Sequence, residues 1–477
     1  MNFYSLEFFG FFLITLILYY VTNSKFQQIV LFTASSIFIY SFSLYFLSYT
    51  FLFILFNYLI IRLLNNKKHK KSVRKVICNT GIGLNILFLV FYKYVNFLID
   101  NLNVLLDMIS DQASISNISL IIPIGISYFT FQGIGYILQV YREHETAEKN
   151  IFVFSNYFIF FPKFLSGPIE MSKSFIPQLK VQYSFSSENL KSGMMLILWG
   201  LFKKIIIADR LVLILNTVHS NVNSFSGLQV LLTFLIQPLH LYCDFSGYTD
   251  IALGIGRTFG FELTDNFNRP FFSKTVSEFW RRWHISLSSW CNEFIYKRLS
   301  FKLRQWGVWA SAYAVFVTFI VIGLWHGPNW KYLVLGVLQG VAINYEFFTK
   351  RIRIQVSRKI NPFIVTIGSY ILTYLFMSFS LTFFYANNVT SARRFIFNLF
   401  SKLEPTILFS ELYTLFDKYL VLIALILMFT IEFWQEYKLR RLKLWWLRPI
   451  FVIVLIYILL ISFVKNKEVE PFIYTLF

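Results

Sequence analysis

Residues 308–327, VWASAYAVFVTFIVIGLWHG, decide the fold class of this chain. The run from Val308 to Leu324 is apolar and long enough to cross the hydrocarbon core of a bilayer as a helix. Trp325 and His326 follow it directly, and an ionisable side chain beside a membrane-length segment is costly enough to mark a candidate functional residue. The alternative interpretation is a structural histidine that is hydrogen-bonded at a helix end.

The composition extends this interpretation to the whole chain. Hydrophobic residues make up 56% and charged residues 14% of the 477 residues, whereas soluble domains carry about 25% charged residues. The backbone of each apolar run must form its hydrogen bonds within the segment, so the spans are helices. We therefore predict an all-α polytopic membrane protein with about ten to twelve spans plus re-entrant or interfacial helices. We expect a single domain over residues 1–477, in which 28–64 forms one tilted helix or two short ones and the last span lies at 446–464.

The net charge of +20 is distributed in a way that argues against nucleic-acid binding. Basic residues cluster in short loops between apolar runs, as the positive-inside rule describes for the cytoplasmic loops of membrane proteins. The loop from Arg62 to Lys75 has seven Lys or Arg residues and no acid, whereas Asp100 to Asn117 has three Asp residues and no Lys or Arg. We therefore predict that the first loop is cytoplasmic, that the second lies outside, and that lipids rather than nucleic acid surround the chain.

The sequence offers no sign of a metal centre or of a disulfide framework. The three cysteines, Cys78, Cys243 and Cys291, are dispersed, and no HxxxH or HExxH pattern accompanies a histidine. Metal sites need several ligands at defined spacings, so we predict no metal and no bound cofactor. The N-terminus has no basic region before its apolar run, and we expect Phe8 to Val21 to be a retained first span rather than a cleaved signal peptide.

A second polar feature lies within a long apolar segment, where residues 242–250 read YCDFSGYTD. Asp244 and Asp250 are expensive in a membrane unless they are paired or solvated. One interpretation is a helix break at Gly247, so that the aspartates and Ser246 line a polar cavity. The other interpretation, compatible with the first, is a pair of charges matched by an arginine: Arg257, Arg269 or Arg281.

The most polar long segment of the chain, 262–304, contains a second histidine. Thr275 and Glu278 have the spacing of a capping box, which predicts that a helix begins there. The aromatic residues that follow, with Arg281 and Arg282 beside them, indicate an interfacial or re-entrant helix. One face of this helix would carry Trp280, His284, Leu287 and Cys291.

Five groups of motifs occur in order between Pro123 and Gly340, and together they are specific. They are residues 123–132 (PIGISYFTFQ), 164–170 (FLSGPIE), 244–252 (DFSGYTDIA), 266–270 with 279–288 (NFNRP and FWRRWHISLS), and 323–327 (GLWHG). In these motifs the chain resembles the membrane-bound O-acyltransferase (MBOAT) family, and most closely its bacterial branch that O-acetylates alginate and other polysaccharides.

This resemblance implies a fold, a reaction and partners. The fold would be a helical ring around a central tunnel, in the bacterial inner membrane. The reaction would move an acetyl group from a cytoplasmic thioester, with acetyl-CoA as donor substrate, towards an exported or cell-wall polysaccharide that is alginate-like or peptidoglycan. The branch also implies an extracytoplasmic SGNH-type acetyltransferase or esterase as partner, or another acceptor protein.

The resemblance and the chemistry of histidine together give a hypothesis for the mechanism. Histidine can take a proton from a hydroxyl and return it near neutral pH, and His326 matches the principal catalytic histidine of the family. His284 matches the second polar residue of the family, and Trp325 and Trp283 would position the substrates. Two basic side chains would hold the phosphates of the donor, or would only anchor the segment in the cytoplasm: Arg281 and Arg282.

Two alternatives to acetylation stay open. A related branch of the family transfers D-alanine to teichoic acid from a carrier-protein thioester. Outside the family, a transporter or a lipid flippase would also carry polar residues within the membrane. Substrate flux without acyl transfer would identify a protein of that second class.

Overall fold

The computed structural model is helical through most of the residues that it describes, which are 1, 3–109, 114–225, 227–400, 415–437, 456 and 472. Within these ranges no strand forms, and a single isolated bridge pairs Phe267 with Trp283. The prediction of an all-α protein is confirmed. The α-helices in chain order are α1 (Leu6–Val21), α2 (Ser24–Tyr40), α3 (Leu44–Leu64), α4 (Lys71–Leu89), α5 (Val95–Asp107), α6 (Ile126–Tyr141), α7 (Ile151–Ile159), α8 (Ser172–Leu179), α9 (Ser187–Leu201), α10 (Asp209–Ser220), α11 (Leu228–Thr258), α12 (Val276–Arg282), α13 (Ile285–Cys291), α14 (Lys297–Lys302), α15 (Val308–His326), α16 (Trp330–Ser357), α17 (Pro362–Tyr385), α18 (Val389–Leu399) and α19 (Leu415–Glu436).

In the described part of the chain, six helices are long and apolar enough to cross a membrane, which fits a multi-pass membrane protein. These six are Leu44–Leu64, Lys71–Asp107, Leu228–Thr258, Val308–His326, Pro362–Tyr385 and Tyr419–Glu436. Two shorter helices, Leu6–Val21 and Ile151–Lys163, are also apolar. A total of about ten to twelve spans stays a prediction, and the last predicted span, 446–464, falls outside the described residues except for Ile456.

The stretch 28–64 forms two helices, α2 and α3, rather than one tilted helix. The chain turns after Tyr40, and Ser43 begins the next helix by accepting a hydrogen bond from Tyr45 N–H at 3.1 Å. A serine at this position satisfies one of the backbone donors that a helix start leaves unpaired. The polar residues between the two apolar runs therefore mark a helix boundary.

The structure divides into two compact units. The first contains residues 1–197 and 251–264, and the second contains residues 198–250 and 265–476. The single domain expected over the whole chain stays a prediction. All of the candidate site residues lie in the second unit: Asp244, Ser246, Asp250, Arg281, Arg282, Trp283, His284, Trp325 and His326.

A buried pair of amide side chains joins helices in the first unit. Asn85 Nδ2 on α4 donates to Asn57 Oδ1 on α3 at 3.0 Å, and Asn57 Nδ2 donates back to Asn85 Oδ1 at 3.3 Å. Gly133 on α6 lies against this pair, because an added Cβ there would come within 2.8 Å of Asn57 Oδ1. Hydrogen bonds and close backbone contacts of this kind hold membrane helices together where lipid is as apolar as the helices themselves.

In the second unit, α15 and α16 approach each other closely through glycines. A Cβ added to Gly323 would lie 3.1 Å from Gly336 Cα, and a Cβ added to Gly336 would lie 3.3 Å from Gly323 Cα. One turn further along α16, a Cβ on Gly340 would meet the Phe316 ring at 3.1 Å. Small residues let helix backbones meet in this way. The contact fixes the end of α15, where His326 lies.

α11 runs without interruption through Gly247, so the predicted helix break at this residue is wrong. A Cβ on Gly247 would lie 2.9 Å from the carbonyl oxygen of Gly200 and 3.2 Å from the backbone nitrogen of Lys204. The position needs glycine because another helix backbone packs directly against it. Its role is close packing rather than a turn of the chain.

Candidate active site

His284 lies at a sharp break between the short helices α12 and α13. Its backbone has φ 42° and ψ 54°, a left-handed conformation that costs a non-glycine residue about 1–3 kcal/mol. The helix start after Thr275 is confirmed, because the Thr275 hydroxyl accepts from Glu278 N–H at 3.0 Å. α12 ends before this break and α13 begins after it. The prediction that one helix presents a single face with Trp280, His284, Leu287 and Cys291 is therefore wrong.

The left-handed turn is held by Asn266. Ile285 N–H donates to the Asn266 backbone oxygen at 3.0 Å, and Ser286 N–H donates to Asn266 Oδ1 at 3.1 Å. Before the turn, Asn268 N–H donates to the Arg282 carbonyl at 2.9 Å. This segment therefore pairs with the chain on both sides of the histidine, and the hydrogen bonds offset the cost of its backbone conformation.

The imidazole of His284 is buried between two aromatic rings. Its centroid lies 4.8 Å from the Phe245 ring on α11 and 5.6 Å from the Trp325 ring on α15. Burial lowers the pKa of the His284 side chain well below its usual value, and the nearby His326 lowers it further. The cause is that neither an apolar environment nor a second positive charge favours an imidazolium. His284 is therefore neutral near pH 7, with one ring nitrogen as a donor and the other as an acceptor.

His326 is the last residue of α15 and is buried against three aromatic rings. Its ring centroid lies 5.1 Å from Trp325, 5.5 Å from Phe384 on α17 and 6.1 Å from Tyr332 on α16. Trp325 is thus adjacent to both His326 and His284. The structure brings together the two histidines and one of the tryptophans that the sequence singled out, while their roles in catalysis stay predictions.

The glycine that follows His326, Gly327, ends α15 and leaves room for a neighbouring ring. Gly327 ends α15 in an extended conformation, and a Cβ there would come within 2.6 Å of the Tyr332 ring. Asn329 then begins α16 by accepting from Lys331 N–H at 3.0 Å. The absence of a side chain at Gly327 therefore lets Tyr332 lie close to the histidine.

Three polar residues of α11 that were predicted to line a cavity are bound to lysines: Asp244, Ser246 and Asp250. Lys203 Nζ lies 2.6 Å from Asp250 Oδ2 and donates to Ser246 Oγ at 2.8 Å. Lys204 Nζ lies 2.7 Å from Asp244 Oδ1. A role in lining a cavity stays a prediction. The prediction that an arginine pairs with these aspartates (Arg257, Arg269 or Arg281) is wrong, because their partners are Lys203 and Lys204.

Sequence reasoning missed Lys203 and Lys204, although two adjacent charges inside an apolar helix were a usable signal. They lie in the π-helical segment Phe202–Ala208, and π-helical turns inside α-helices are frequent at functional sites. Lys204 Nζ also lies 2.8 Å from Asp209 Oδ1. Both lysines are buried, and buried charges need close partners because they have lost their water.

The two arginines of α12 have different surroundings. Arg282 donates to Glu278 Oε1 at 2.8 Å and to both carboxylate oxygens of Glu436 at 3.0 Å, so its charge is compensated. Arg281 is exposed. Of the two, Arg281 is the one that a phosphate group can reach.

Trp283 is a packing residue in this structure. Its ring stacks on Phe279 with centroids 5.3 Å apart and meets the edge of Phe267 at 4.9 Å. The side chain is buried. A direct role in positioning a substrate stays a prediction.

The described part of the chain contains no group of three or more His, Cys, Asp or Glu residues that could hold a metal ion. Cys78, Cys243 and Cys291 are buried thiols. Two neighbouring imidazoles in surroundings made of aromatic rings are the reactive groups that this arrangement brings together. Such a group can accept a proton and return it.

Known proteins resemble this chain over most of its length. Residues 141–387 match the family profile of MBOAT, the membrane-bound O-acyltransferase family. The chain is 31% identical to a probable alginate O-acetylase AlgI of Pseudomonas putida, over 69% of this chain and 67% of that protein. It is 28% identical to a peptidoglycan O-acetyltransferase of Helicobacter pylori, over 78% of this chain and 73% of that protein. It is also 32% identical to a teichoic acid D-alanyltransferase of Bacillus subtilis, over 49% of this chain and 61% of that protein.

Proposed function

The chain belongs to the membrane-bound O-acyltransferase family, and from this premise we propose that it serves the O-acetylation of an exported or cell-wall polysaccharide. It is an acyltransferase and a multi-pass membrane protein. The proposed donor is acetyl-CoA or another cytoplasmic thioester, which acts as a substrate and not as a bound cofactor. The proposed acceptor is an alginate-like polysaccharide or peptidoglycan, and the proposed location is the bacterial inner membrane.

The observation that carries the proposal is the packing of His284, Trp325 and His326 into one buried group. A thioester is susceptible to hydrolysis, so a site that excludes water protects it until the acceptor arrives. The neutral form of an imidazole is the form that can act as a base.

In the proposed reaction, His326 removes the proton from an acceptor hydroxyl while the oxygen attacks the carbonyl carbon of the thioester. The new C–O bond forms and the C–S bond breaks. The imidazolium then gives its proton to the departing thiolate, so the products are an ester and a free thiol. General base catalysis contributes about 10²–10⁴-fold to such a rate, and the positioning of the two substrates supplies the remainder.

The neighbouring residues take positioning roles in this proposal. His284 and Trp325 orient the thioester and the acceptor beside His326, and Trp283 supports them through its packing. Arg281 binds the phosphates of the donor, because it is exposed whereas the charge of Arg282 is compensated by two glutamates. The proposed partner is an extracytoplasmic SGNH-type acetyltransferase or esterase that completes the transfer to the glycan.

A second candidate is D-alanyl transfer to teichoic acid from a carrier-protein thioester. The similarity to a relative of that name supports it. That similarity covers a smaller share of this chain than the similarity to the acetylating relatives does, which favours acetylation. Transport without acyl transfer does not fit a member of an acyltransferase family.

The two candidates differ in the donor, so a donor assay separates them. The purified protein, with its extracytoplasmic partner, is given alginate or peptidoglycan fragments and either acetyl-CoA or a D-alanyl carrier protein. We expect free thiol release from acetyl-CoA and acetyl esters on the polysaccharide, measured with a thiol reagent and by mass spectrometry. Turnover of the D-alanyl carrier protein alone would reject acetylation in favour of the second candidate.

A further inference from the structure

Gln339 on α16 is a buried amide that bonds to two other helices at once. Its Oε1 accepts from the Trp280 indole N–H on α12 at 3.0 Å, and its Nε2 donates to Ser380 Oγ on α17 at 2.8 Å. Ser380 Oγ in turn donates to the Met377 backbone oxygen at 3.0 Å. The Gln339 and Ser380 side chains are only 1% and 0% exposed. Hydrogen bonds are stronger in such surroundings than in water, so this amide holds the two helices in place.

The two partners of this amide are close in the chain to the candidate active site. Trp280 lies four residues before His284, the residue at the break after α12. Ser380 lies four residues, or about one helical turn, before Phe384, whose ring is 5.5 Å from the His326 ring. The amide therefore connects the segment that carries one histidine with the helix that packs against the other.

A second side chain of α16 holds the start of α12. Glu346 Oε1 accepts from Val276 N–H at 2.5 Å, and Glu346 Oε2 accepts from the Ser277 N–H at 3.0 Å and from its hydroxyl at 2.6 Å. A carboxylate at this position satisfies backbone donors that the first turn of a helix leaves unpaired. Gln339 and Glu346 are seven residues apart, which places them on one face of α16. α12 is therefore bound along α16 at two points.

The same face of α16 contacts the helix that carries His326. Gly336 packs against Gly323 of α15, backbone against backbone. The Tyr332 ring, one turn earlier on α16, lies 6.1 Å from the His326 ring. α16 thus touches both of the segments that carry a histidine, and the relative position of the two imidazoles depends on it.

We infer that Gln339 is a positioning residue, whose amide keeps the His284 segment in register with His326. This inference rests on the proposed acyl transfer, and it adds a residue that acts through Trp280 rather than on the substrates. Loss of the amide removes the acceptor of the Trp280 indole, so that α12 can shift along α16 and move His284 relative to Trp325. A displacement of about 1 Å in a catalytic group can cost 10²-fold in rate.

The structural test follows the indole N–H signal of Trp325 by ¹H–¹⁵N NMR of the protein in detergent. The Trp325 ring lies against both histidine rings, so its signal changes when one of them moves. Gln339→Leu removes both hydrogen bonds of the amide at nearly constant volume and should shift the signal. Trp280→Phe removes only the indole donor, should also shift the signal, and answers the same question if Gln339→Leu does not fold.

Asn344→Ala is the matched control. Asn344 also lies on α16, and its Nδ2 donates to the Ala312 backbone oxygen of α15 at 3.0 Å. The variant therefore removes a bond between helices that lies fourteen residues along α15 from His326, or about 21 Å. It should lower the Tm and leave the Trp325 signal unchanged.

The kinetic test measures thiol release from acetyl-CoA in the presence of the extracytoplasmic partner. Gln339→Leu should lower kcat at least about tenfold, whereas folded Asn344→Ala protein should keep the wild-type kcat. Because Gln339 is inferred to act through Trp280, the double variant Gln339→Leu/Trp280→Phe should be no slower than the slower single variant. Losses that multiply in the double variant would overturn the route through Trp280.

The two tests separate this inference from the proposed function. A wild-type protein that releases no thiol would reject the proposed acetyl transfer, while the Trp325 signal would still decide the role of Gln339. A shift in Gln339→Leu without a shift in Asn344→Ala supports the inference. The inference is overturned if Gln339→Leu leaves the signal unchanged, or if Gln339→Leu and Asn344→Ala change the signal and kcat equally.

Discussion

His284 adopts a left-handed backbone conformation, and Asn266 supplies two of the acceptors that stabilise it. A histidine after an unbroken helix turn would point along a helix face, whereas here the break directs the ring towards Phe245 and Trp325. The sequence pattern could not predict this, because it depends on a hydrogen bond from Ser286 to a residue twenty positions earlier. The orientation of the His284 ring therefore depends on the hydrogen bonds between its own turn and the segment that contains Asn266.

Asn266→Ala tests this dependence. The change removes the Oδ1 acceptor and leaves Ser286 N–H unpaired, so the turn at His284 should relax. A displacement of about 1 Å in a catalytic group can cost 10²-fold, and we expect a loss in kcat of about this size with a smaller change in the KM for acetyl-CoA. Steady-state kinetics of acetyl transfer measure both quantities.

The matched control is Asn268→Ala. Asn268 lies two residues away, is exposed, and its side chain bonds to Arg269. Its loss should leave the kinetics at the wild-type level. A positioning role for Asn266 would be refuted if both variants had the same kcat, or if a lower rate of the Asn266 variant followed only from a smaller folded fraction.

At the scale of helices, local signals in the sequence predict where helices begin and how long they are. The roles of residues that lie between packed helices depend on contacts that the sequence does not show. The helix start after Thr275 follows from a side chain three residues from its partner, and the apolar run from Val308 gives α15 its length. The sequence pattern indicates a helix break at Gly247, whereas the structure shows close packing against the backbone at Gly200. A contact of this kind cannot be predicted from a single sequence. The pairing of Lys203 with Asp250 likewise requires knowing which helices meet.

The close contact between α15 and α16 at their glycines predicts that a larger side chain there lowers stability and activity. In Gly323→Ala the new methyl group would lie 3.1 Å from Gly336 Cα and closer still to the Tyr332 carbonyl oxygen. Backbone atoms cannot move aside as side chains do, so the two helices must separate, at a cost of about 1–3 kcal/mol. We expect a lower unfolding temperature in detergent and a lower rate of acyl transfer.

Gly368→Ala on α17 provides the comparison. A Cβ there would have nothing within 4 Å, and alanine in place of glycine inside a helix is favourable by about 0.5–1 kcal/mol. The Gly368 variant should therefore be at least as stable as the wild-type protein. If Gly323→Ala were equally stable and active, the close approach would not be what fixes His326.

At the scale of the whole molecule, composition alone predicted the class of protein. The high apolar content and scarce charges indicate membrane helices, and the described residues contain six helices that can span a bilayer. The basic loop from Arg62 to Lys75 predicts an orientation in the membrane, which the overall composition does not predict. Which histidines become neighbours could not be derived from spacing, because His284 and His326 are 42 residues apart in the chain. The structure packs both rings against Trp325.

The central claim is that His326 is the base for acyl transfer from a thioester to a hydroxyl. The most direct test measures acetyl transfer from acetyl-CoA by the purified His326→Ala protein, with its unfolding temperature showing that it is folded. His69→Ala, in the basic loop of the first unit, is the control and should retain wild-type activity. We predict that His326→Ala loses at least about 10²-fold in rate. A folded His326→Ala protein that transfers acetyl groups at the wild-type rate would contradict the claim.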